Sequence, residues 1–249
     1  MKKSKKYVKP IAIALFFAVA ICVLVPFVTT PYEKDYFIEV ENTEKMIALT
    51  FDDGPGDYTM DLLDGLKEND IKVSFFLLGR KIAGKEDVLL RMQQDGHLIG
   101  NHTYTHCTLF NTSVSDYKAE LMQTDDEIFR VTGEHAEFFR PPHGYYTGSR
   151  LSRIDKMAIL WSNDPADWKH EDADYVYSYL MKHAGDGRII LMHDTRKTTV
   201  EGVLRAVKDL KEQGYNFVRA DELLCRNGDS LAAGLAYRSC KNGKSPVYF

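Results

Sequence analysis

The chain has no basic patch on its main body, no internal repeat and no low-complexity tract. Five of its 32 Lys and Arg residues are lysines within the first nine positions of the 249-residue sequence. Residues 10–249 therefore carry 27 basic and 36 acidic side chains, a net charge of −9. Because nucleic-acid binding depends on neutralising phosphates, this acidic body predicts no nucleic-acid partner. A hydrophobic content of 44% is typical of a globular protein and argues against a disordered or fibrous one.

The basic head is followed by an uncharged, apolar run of 18 residues from Ile11 to Val28. That length meets the lower limit for a helix that spans a bilayer. Lysines before the run and acids after it predict that residues 1–10 are a cytoplasmic tail and that the rest lies outside the cell. We expect an uncleaved, single-pass transmembrane anchor at 11–28. The alternative is a signal peptide cleaved after Ala18-Val19-Ala20, which would give a secreted protein.

Only four cysteines occur, and one of them, Cys22, lies in the apolar run. Cys225 and Cys240 flank a loop-like stretch near the C-terminus and could form a disulfide in an oxidising exterior. Two unpaired thiols are the other interpretation, and the sequence does not decide between them. Cys107 directly follows a histidine, but a lone cysteine in an extracellular loop is more often incidental, so we do not expect it to bind a metal.

Short apolar runs alternate with helix-like segments from residue 46 onward, after a polar stretch at 29–44 that predicts a tether. Predicted strands lie at 46–51, 73–78, 97–100, 137–139, 157–161, 188–192 and 215–218. Predicted helices lie at 59–69, 86–94, 115–131, 172–182 and 199–213. This alternation predicts one α/β domain at 45–225, with a mainly parallel sheet or barrel and a C-terminal extension at 226–249. In such folds, functional residues follow the C-terminal ends of the strands.

Two constellations after the first and third predicted strands suit a metal site. Asp52 and Asp53 end the first strand, and a nearby cation would relieve the repulsion between their carboxylates. His102 and His106 follow the third strand, and neutral imidazoles bind zinc, cobalt or nickel. Thr103 stands where the zincin metalloproteases have glutamate, which argues against a metalloprotease of that type. Taken singly, each pattern is also typical of a polar turn or surface.

Three further motifs follow later strands. Arg140 precedes Pro141-Pro142, a rigid turn in which a guanidinium could orient a carboxylate through paired hydrogen bonds. Asp167 and Trp168 combine a carboxylate with an aromatic ring that could stack on a sugar. His193 ends an apolar strand. Each motif is weak alone, but five successive strands now end in chemically active side chains, which indicates one catalytic site.

These five motifs, in this order, resemble those of the NodB-type polysaccharide deacetylases, also called carbohydrate esterase family 4. The resemblance runs from about Lys45 to Leu224 and includes Phe75-Phe76-Leu77-Leu78-Gly79 and Gly96-His97-Leu98-Ile99-Gly100-Asn101-His102. It implies a distorted (β/α) barrel of seven or eight strands and a metal-dependent hydrolase that removes N-acetyl groups from a polysaccharide.

The resemblance also implies the catalytic roles. Three residues would bind a divalent metal, usually Zn²⁺ with Co²⁺ or another divalent ion as alternatives: Asp53, His102 and His106. Asp52 would be the general base, and Arg140 would hold it. His193 would be the general acid, with Asp167 as its partner.

Substrate contacts are implied for four more residues: Pro142, His143, Trp168 and Leu191. His143 departs from the family, which usually has tyrosine there; the family uses the backbone N–H at that position, and this donor survives the change. We expect peptidoglycan as the substrate, with chitin oligomers or an exopolysaccharide as alternatives and acetylated xylan as a further option. A catalytically silent glycan-binding protein is the alternative from another class. No obligate protein partner is implied.

Overall fold

The strands of the chain form one sheet in the computed structural model, which describes residues 35–240 and 247–248. In chain order, the strands among these residues are β1 (Met46–Gly54), β2 (Ser74–Leu77), β3 (Leu98–Asn101), β4 (Phe138–Phe139), β5 (Met157–Ile159), β6 (Arg188–His193), β7 (Asn216–Phe217), β8 (Ala236–Tyr237) and β9 (Val247–Tyr248). The first seven lie where the sequence predicts strands. The last two are additional, and each is only two residues long, too short to show an alternating pattern.

The sheet is mainly parallel. Its strands follow the order β6-β1-β2-β3-β4-β5-β8-β9, with β7 beside the start of β1, and only β8 and β9 pair antiparallel. Residues that follow β5 reach β6, where the Ser162 N–H donates to the Ile189 carbonyl at 2.9 Å and the Leu191 N–H donates to the Asn163 carbonyl at 3.0 Å. The result is a parallel α/β half-barrel, which confirms the predicted α/β class. Because the strands run parallel, their C-terminal ends meet at one rim.

Helices cover the outside of the sheet. Among the described residues they are α1 (Thr59–Glu68), α2 (Glu86–Gln94), α3 (Val114–Thr132), α4 (Gly148–Leu151), α5 (Ala173–His183), α6 (Lys197–Glu212) and α7 (Ala220–Cys225). Five of them match the predicted helices. The sequence missed α4 and α7 because four and six residues are too few for a helical period to stand out.

Strand β1 explains how the core is divided and why the site lies where it does. Successive side chains of a strand point to opposite faces. Ile47, Leu49 and Phe51 join the cluster under the helices, whereas Met46 and Ala48 join the cluster on the other face. Thr50 and Asp52 continue that second face, so periodicity alone places the carboxylate of Asp52 inside the half-barrel, where it is 3% exposed.

Local sequence sets the ends and faces of the longer helices. The Ser113 hydroxyl accepts a hydrogen bond from the Asp116 N–H at 3.1 Å, which caps the start of α3, and Gly133 ends that helix with a left-handed φ of 73°. Helix α6 buries a stripe that includes Val200, Val203 and Val207. Residues three and four apart share one face of a helix, so this stripe packs α6 onto the sheet.

The described residues belong to one compact unit, in which two segments outside the predicted domain at 45–225 make contacts. Tyr36, assigned to the tether, donates its hydroxyl to Asp221 at 2.6 Å and packs its ring against Phe138, with 4.7 Å between centroids. The C-terminal extension also enters the sheet, since β8 pairs with β5. Both segments contribute apolar side chains to the core cluster that contains Phe138.

Two predictions concern the N-terminal anchor and the cysteines. The predicted transmembrane segment at 11–28 lies outside the described residues, and no helix within 35–240 is long and apolar enough to cross a membrane. Cys225 and Cys240 are both buried and interact electrostatically, and no disulfide joins the cysteines of the described part.

Candidate active site

A cavity of about 480 Å³ opens at the rim where the C-terminal ends of the strands meet. Eight of the predicted site residues line it: Asp52, Asp53, His102, His106, His143, Trp168, Leu191 and His193. Arg140 and Asp167 are fully buried and contact the lining from behind. Pro142 is buried in a short 3₁₀ turn, Pro142–Gly144, and does not line the cavity.

Arg140 holds Asp52 through a network of fixed hydrogen bonds. Its Nη1 donates to Asp52 Oδ1 at 2.8 Å and to the Thr50 hydroxyl at 2.8 Å. Its Nε and Nη2 donate to the carbonyls of Ile159 and Leu160 at 2.8 and 3.0 Å. Burial lowers the pKa of Arg140, and the carboxylate of Asp52 counteracts this effect. With Oδ1 engaged, the other carboxylate oxygen of Asp52, Oδ2, lies 3.6 Å from His102 Nε2.

Asp53, His102 and His106 form a three-ligand cluster, because one donor atom from each lies within 4.8 Å of the others. His106 Nε2 lies 3.4 Å and His102 Nε2 lies 3.7 Å from Asp53 Oδ1. Asp53 and His106 both adopt left-handed backbone conformations, with φ of 69° and 73°. Such conformations are costly for residues other than glycine and concentrate at functional sites.

The donor atoms of this cluster fit a divalent metal. His102 Nδ1 lies 2.8 Å from the Arg140 carbonyl, which can only accept, so Nδ1 carries the proton and Nε2 keeps its lone pair. Burial and the neighbouring His102 lower the pKa of His106 to about 4, which leaves that imidazole neutral at pH 7. Asp53 Oδ1 is buried and has no hydrogen-bond partner among the described residues. A buried carboxylate oxygen that faces two imidazole lone pairs is the environment a metal ion completes.

His193 is held by Asp167 on the opposite side of the cavity from this cluster's histidines. Its Nδ1 lies 2.8 Å from Asp167 Oδ1, and its backbone N–H donates to Asp167 Oδ2 at 2.9 Å. The Thr199 hydroxyl donates to the same Oδ2 at 2.7 Å. Burial alone would lower the pKa of His193, but the hydrogen bond and charge of Asp167, assisted by Asp52 and Asp53, raise it to about 9. His193 is therefore an imidazolium at neutral pH.

The predicted substrate contacts occupy different parts of the cavity. Trp168 is 49% exposed and presents its ring at the entrance, whereas Leu191 is 5% exposed and forms part of the apolar lining. His143 has a left-handed φ of 58° and stacks edge-on against His106, with 4.8 Å between ring centroids. The double proline before it fixes the turn that holds this backbone in place.

Sequence reasoning missed several groups that support the site. Lys81 donates a hydrogen bond from its Nζ to the Asp53 carbonyl at 2.8 Å and so steadies the turn that carries Asp53. Asp194 is fully buried, accepts a hydrogen bond from the Thr59 hydroxyl, and lies so close to Gly54 that a Cβ there would meet its carboxylate at 2.5 Å. Burial raises the pKa of Asp194 to about 6. In the sequence, the one indication that Asp194 supports the site is its position directly after His193.

Five more residues line the cavity without having been singled out: Tyr145, Trp161, Asp164, Thr195 and Arg196. Trp161 is the last residue of the predicted strand 157–161, and the other four lie beyond the ends of predicted strands or within the loops that follow. The general rule that function collects at strand ends would have included them, but their residue types alone do not identify a role.

Comparison with known proteins matches a family model described as polysaccharide deacetylase over residues 39–159. The chain is 37% identical over 196 residues to the peptidoglycan-N-acetylglucosamine deacetylase PgdA of Listeria monocytogenes, covering 78% of this chain and 41% of that protein. It is 35% identical over 185 residues to the peptidoglycan-N-acetylmuramic acid deacetylase PdaC of Bacillus subtilis, covering 74% and 40%. A peptidoglycan-N-acetylglucosamine deacetylase of Bacillus cereus is 35% identical over 196 residues, with 75% of this chain and 91% of that protein covered.

Solved structures agree with these matches. The structure of Bacillus subtilis PdaC aligns with a TM-score of 0.71 at 35% identity, covering 73% of this chain and 90% of that one. A family 4 acetyl xylan esterase of Clostridium thermocellum, in complex with a cobalt ion, aligns with a TM-score of 0.69 at 29% identity, covering 74% and 92%. The chain spans about two fifths of the length of the Listeria and Bacillus subtilis relatives.

Proposed function

The chain belongs to the polysaccharide deacetylase family, and from this premise we propose that it hydrolyses the N-acetyl groups of N-acetylglucosamine-containing cell-wall polysaccharide, with peptidoglycan as the substrate. One observation carries the proposal. Asp52 and His193 are register partners on the adjacent strands β1 and β6, and each is locked from behind by a buried group of opposite charge. A fixed proton acceptor and a fixed proton donor thus share one cavity.

Amide hydrolysis needs a nucleophile, and Asp52 is placed to generate it. Arg140 occupies Oδ1, so Oδ2 is left to take a proton from a water molecule in the cavity. The water oxygen then bonds to the acetyl carbon. Holding the base in one orientation matters because a general base contributes about 10²- to 10⁴-fold only when it is aligned with the proton it removes.

His193 completes the reaction as the proton donor. Its Nδ1 is bound to Asp167, which leaves Nε2–H to point into the cavity. When the carbon–nitrogen bond breaks, this proton passes to the departing amine, which is otherwise a poor leaving group. The products are acetate and the free amino sugar. The pKa of about 9 keeps His193 protonated and ready at neutral pH.

Asp53, His102 and His106 would hold the metal, and one carboxylate with two imidazoles is a donor set suited to Zn²⁺. When bound there, a divalent ion polarises the acetyl carbonyl and acidifies water. The backbone N–H of His143 would help to bind the developing oxyanion, since this residue lines the cavity and its ring contacts that of His106.

Apolar and aromatic groups would orient the sugar. Leu191 offers a buried apolar surface for the acetyl methyl group. Trp168, half exposed at the cavity entrance, would stack on a sugar ring. Both contacts place the acetamido group between Asp52 and His193.

The proposal includes a location outside the cell, held to the membrane by residues 11–28. Its support is the sequence alone: the apolar run and the lysines before it. Fractionation of cells followed by protease treatment of intact protoplasts tests it. The domain should stay with the membrane fraction and be digested, whereas protection from protease would contradict an external location.

Acetate release tests the activity. The purified chain, supplied with Zn²⁺, should release acetate from peptidoglycan glycan strands, and Asp52→Asn should serve as the matched inactive control. Acetate release from chitin oligomers but not from peptidoglycan would indicate that chitin oligomers are the substrate. No release from either, with metal bound, would favour a silent glycan-binding protein.

A further inference from the structure

A single basic side chain lines the catalytic cavity among the residues that the structure describes there. Arg196 follows β6 by three positions and lies on the His193 side of the cavity. The remaining charged groups of the lining are the carboxylates of Asp52, Asp53 and Asp164, together with imidazoles. Arg196 is therefore the one guanidinium among these lining residues that could bind an anionic group of a substrate.

Arg196 also lines a second cavity. This neighbouring space, about 320 Å³, shares Thr195 and Arg196 with the catalytic cavity and is completed by four other residues: Tyr58, Glu171, Lys197 and Thr198. Its surface combines two basic side chains, one carboxylate, two threonine hydroxyls and a tyrosine. A substrate in the catalytic cavity thus has a polar, cationic recess beside it, with Arg196 at the junction.

The basic side chains of this recess have only weak partners. Arg196 meets Glu171 through one contact of 3.3 Å, and both side chains are substantially exposed. Lys197 meets Glu201 at 3.5 Å, again on the surface. Exposed ion pairs of this kind contribute about 0–1 kcal/mol and are readily exchanged. A carboxylate that accepts two parallel hydrogen bonds from the N–H edge of the guanidinium would replace such a contact.

We propose that Arg196, assisted by Lys197, forms a subsite for a carboxylate carried by the substrate next to its acetamido group. The inference rests on the proposed deacetylase function and specifies which sugar it takes. In N-acetylmuramic acid, the ring carbon beside the acetamido carbon bears a lactyl ether with a carboxyl group. That carboxyl is free in the bare glycan and amide-linked to a peptide with its own carboxylates in peptidoglycan. N-acetylglucosamine oligomers lack both, so the subsite favours the muramic residue.

Arg196→Gln tests the subsite, with Arg205→Gln as its matched control. Arg205 lies in helix α6, which begins directly after Arg196, and also has an exposed acidic partner, Asp174, but it lines neither cavity. Three substrates separate the sources of the carboxylate: glycan strands stripped of peptide, muropeptides with the lactyl carboxyl in amide linkage, and chitin oligomers. Zn²⁺-loaded chain is used throughout, and kcat and KM for acetate release are measured on each.

Arg196→Gln should raise KM about tenfold on a carboxylate-bearing substrate, the scale expected for losing a charged hydrogen bond, and leave kcat unchanged. Arg196→Lys should raise KM less than Arg196→Gln does, because it keeps the positive charge. An effect confined to stripped strands identifies the lactyl carboxylate, and one confined to muropeptides identifies the peptide carboxylates. For Arg196→Gln acting on chitin oligomers, and for Arg205→Gln acting on any of the three substrates, KM should change by no more than about twofold.

An equal rise in KM on chitin oligomers, or no rise on either peptidoglycan substrate, would overturn the subsite while the deacetylase function stands. Inactivity of the unmodified chain on all three substrates would instead overturn the proposed function and the subsite with it. The two failures are therefore distinguishable in one set of measurements.

Discussion

Replacing Asp167 with Asn probes the proton donor most sharply. Asp167 is fully buried and accepts three hydrogen bonds, two from His193 and one from Thr199. Asn removes the negative charge with almost no change in volume. Since that charge and the Nδ1 hydrogen bond outweigh the effect of burial, their loss should return the pKa of His193 from about 9 to its ordinary 6.5 or below.

The size of the effect follows from that shift. A fall of about 2.5 in the pKa of His193 corresponds to roughly 3 kcal/mol of interaction free energy between Asp167 and the imidazolium. At pH 8, the protonated fraction of His193 should fall by about 30-fold, whereas at pH 6 it should fall by less than about twofold. The loss of activity should therefore deepen by more than about tenfold between pH 6 and pH 8, on top of any pH-independent loss from misorientation.

A pH–rate profile of kcat for acetate release measures this directly. The unmodified chain should keep its activity up to about pH 9, and Asp167→Asn should lose it near pH 6.5 or below. Thr199→Val removes one hydrogen-bond donor to Asp167 and keeps the charge of Asp167. It should therefore shift the basic limb of the profile, the fall in kcat at high pH, less than Asp167→Asn does. The assignment of His193 as the proton donor is refuted if Asp167→Asn and the unmodified chain share the same basic limb. The raised pKa also stabilises the fold fully below pH 6.5, and this contribution is lost as the pH rises through about 9.

Three further changes test the rest of the site. His102→Ala should lose bound metal because it removes one of three ligands, and elemental analysis that finds an unchanged metal content would contradict the ligand assignment. Asp52→Asn should retain metal but release acetate about 10²- to 10⁴-fold more slowly, and near-normal turnover would exclude its role as the base. Arg140→Met should lower the free energy of unfolding by about 3–5 kcal/mol, since it leaves Asp52 buried without its cation; denaturant titration measures this, and an unchanged midpoint would contradict the pairing.

The sequence predicted the elements of the fold where a long pattern existed. Strand β1 is a run of buried, mainly apolar residues and helix α6 repeats apolar residues about every 3.6 positions, and both lie where expected. Strand β8 and helix α7, by contrast, carry no readable period. Their positions depend on contacts between distant residues, as when β8 enters the sheet beside β5. The packing of Tyr36 on Asp221 is equally non-local, which is why a polar stretch resembled a tether.

The candidate site divides along similar lines. Side chains directly after strands, such as Asp53 and His193, could be predicted because parallel strands gather their ends at one rim. What the sequence could not supply is geometry: the proton on His102 Nδ1 is assigned by the Arg140 carbonyl, a contact across 38 positions. Arg196 could not be predicted because an arginine in a loop has no distinguishing sequence pattern. Its position between two cavities is evident only from the structure.

Acetate release from peptidoglycan, measured with metal removed and then restored, tests the central claim most directly. The purified chain should release acetate and free amino groups in equal amounts, lose this activity when a chelator removes the metal, and regain it with Zn²⁺ or Co²⁺. Release that is unaffected by chelation would contradict the role given to Asp53, His102 and His106. Absence of release from the metal-loaded chain would contradict the proposed deacetylase activity itself.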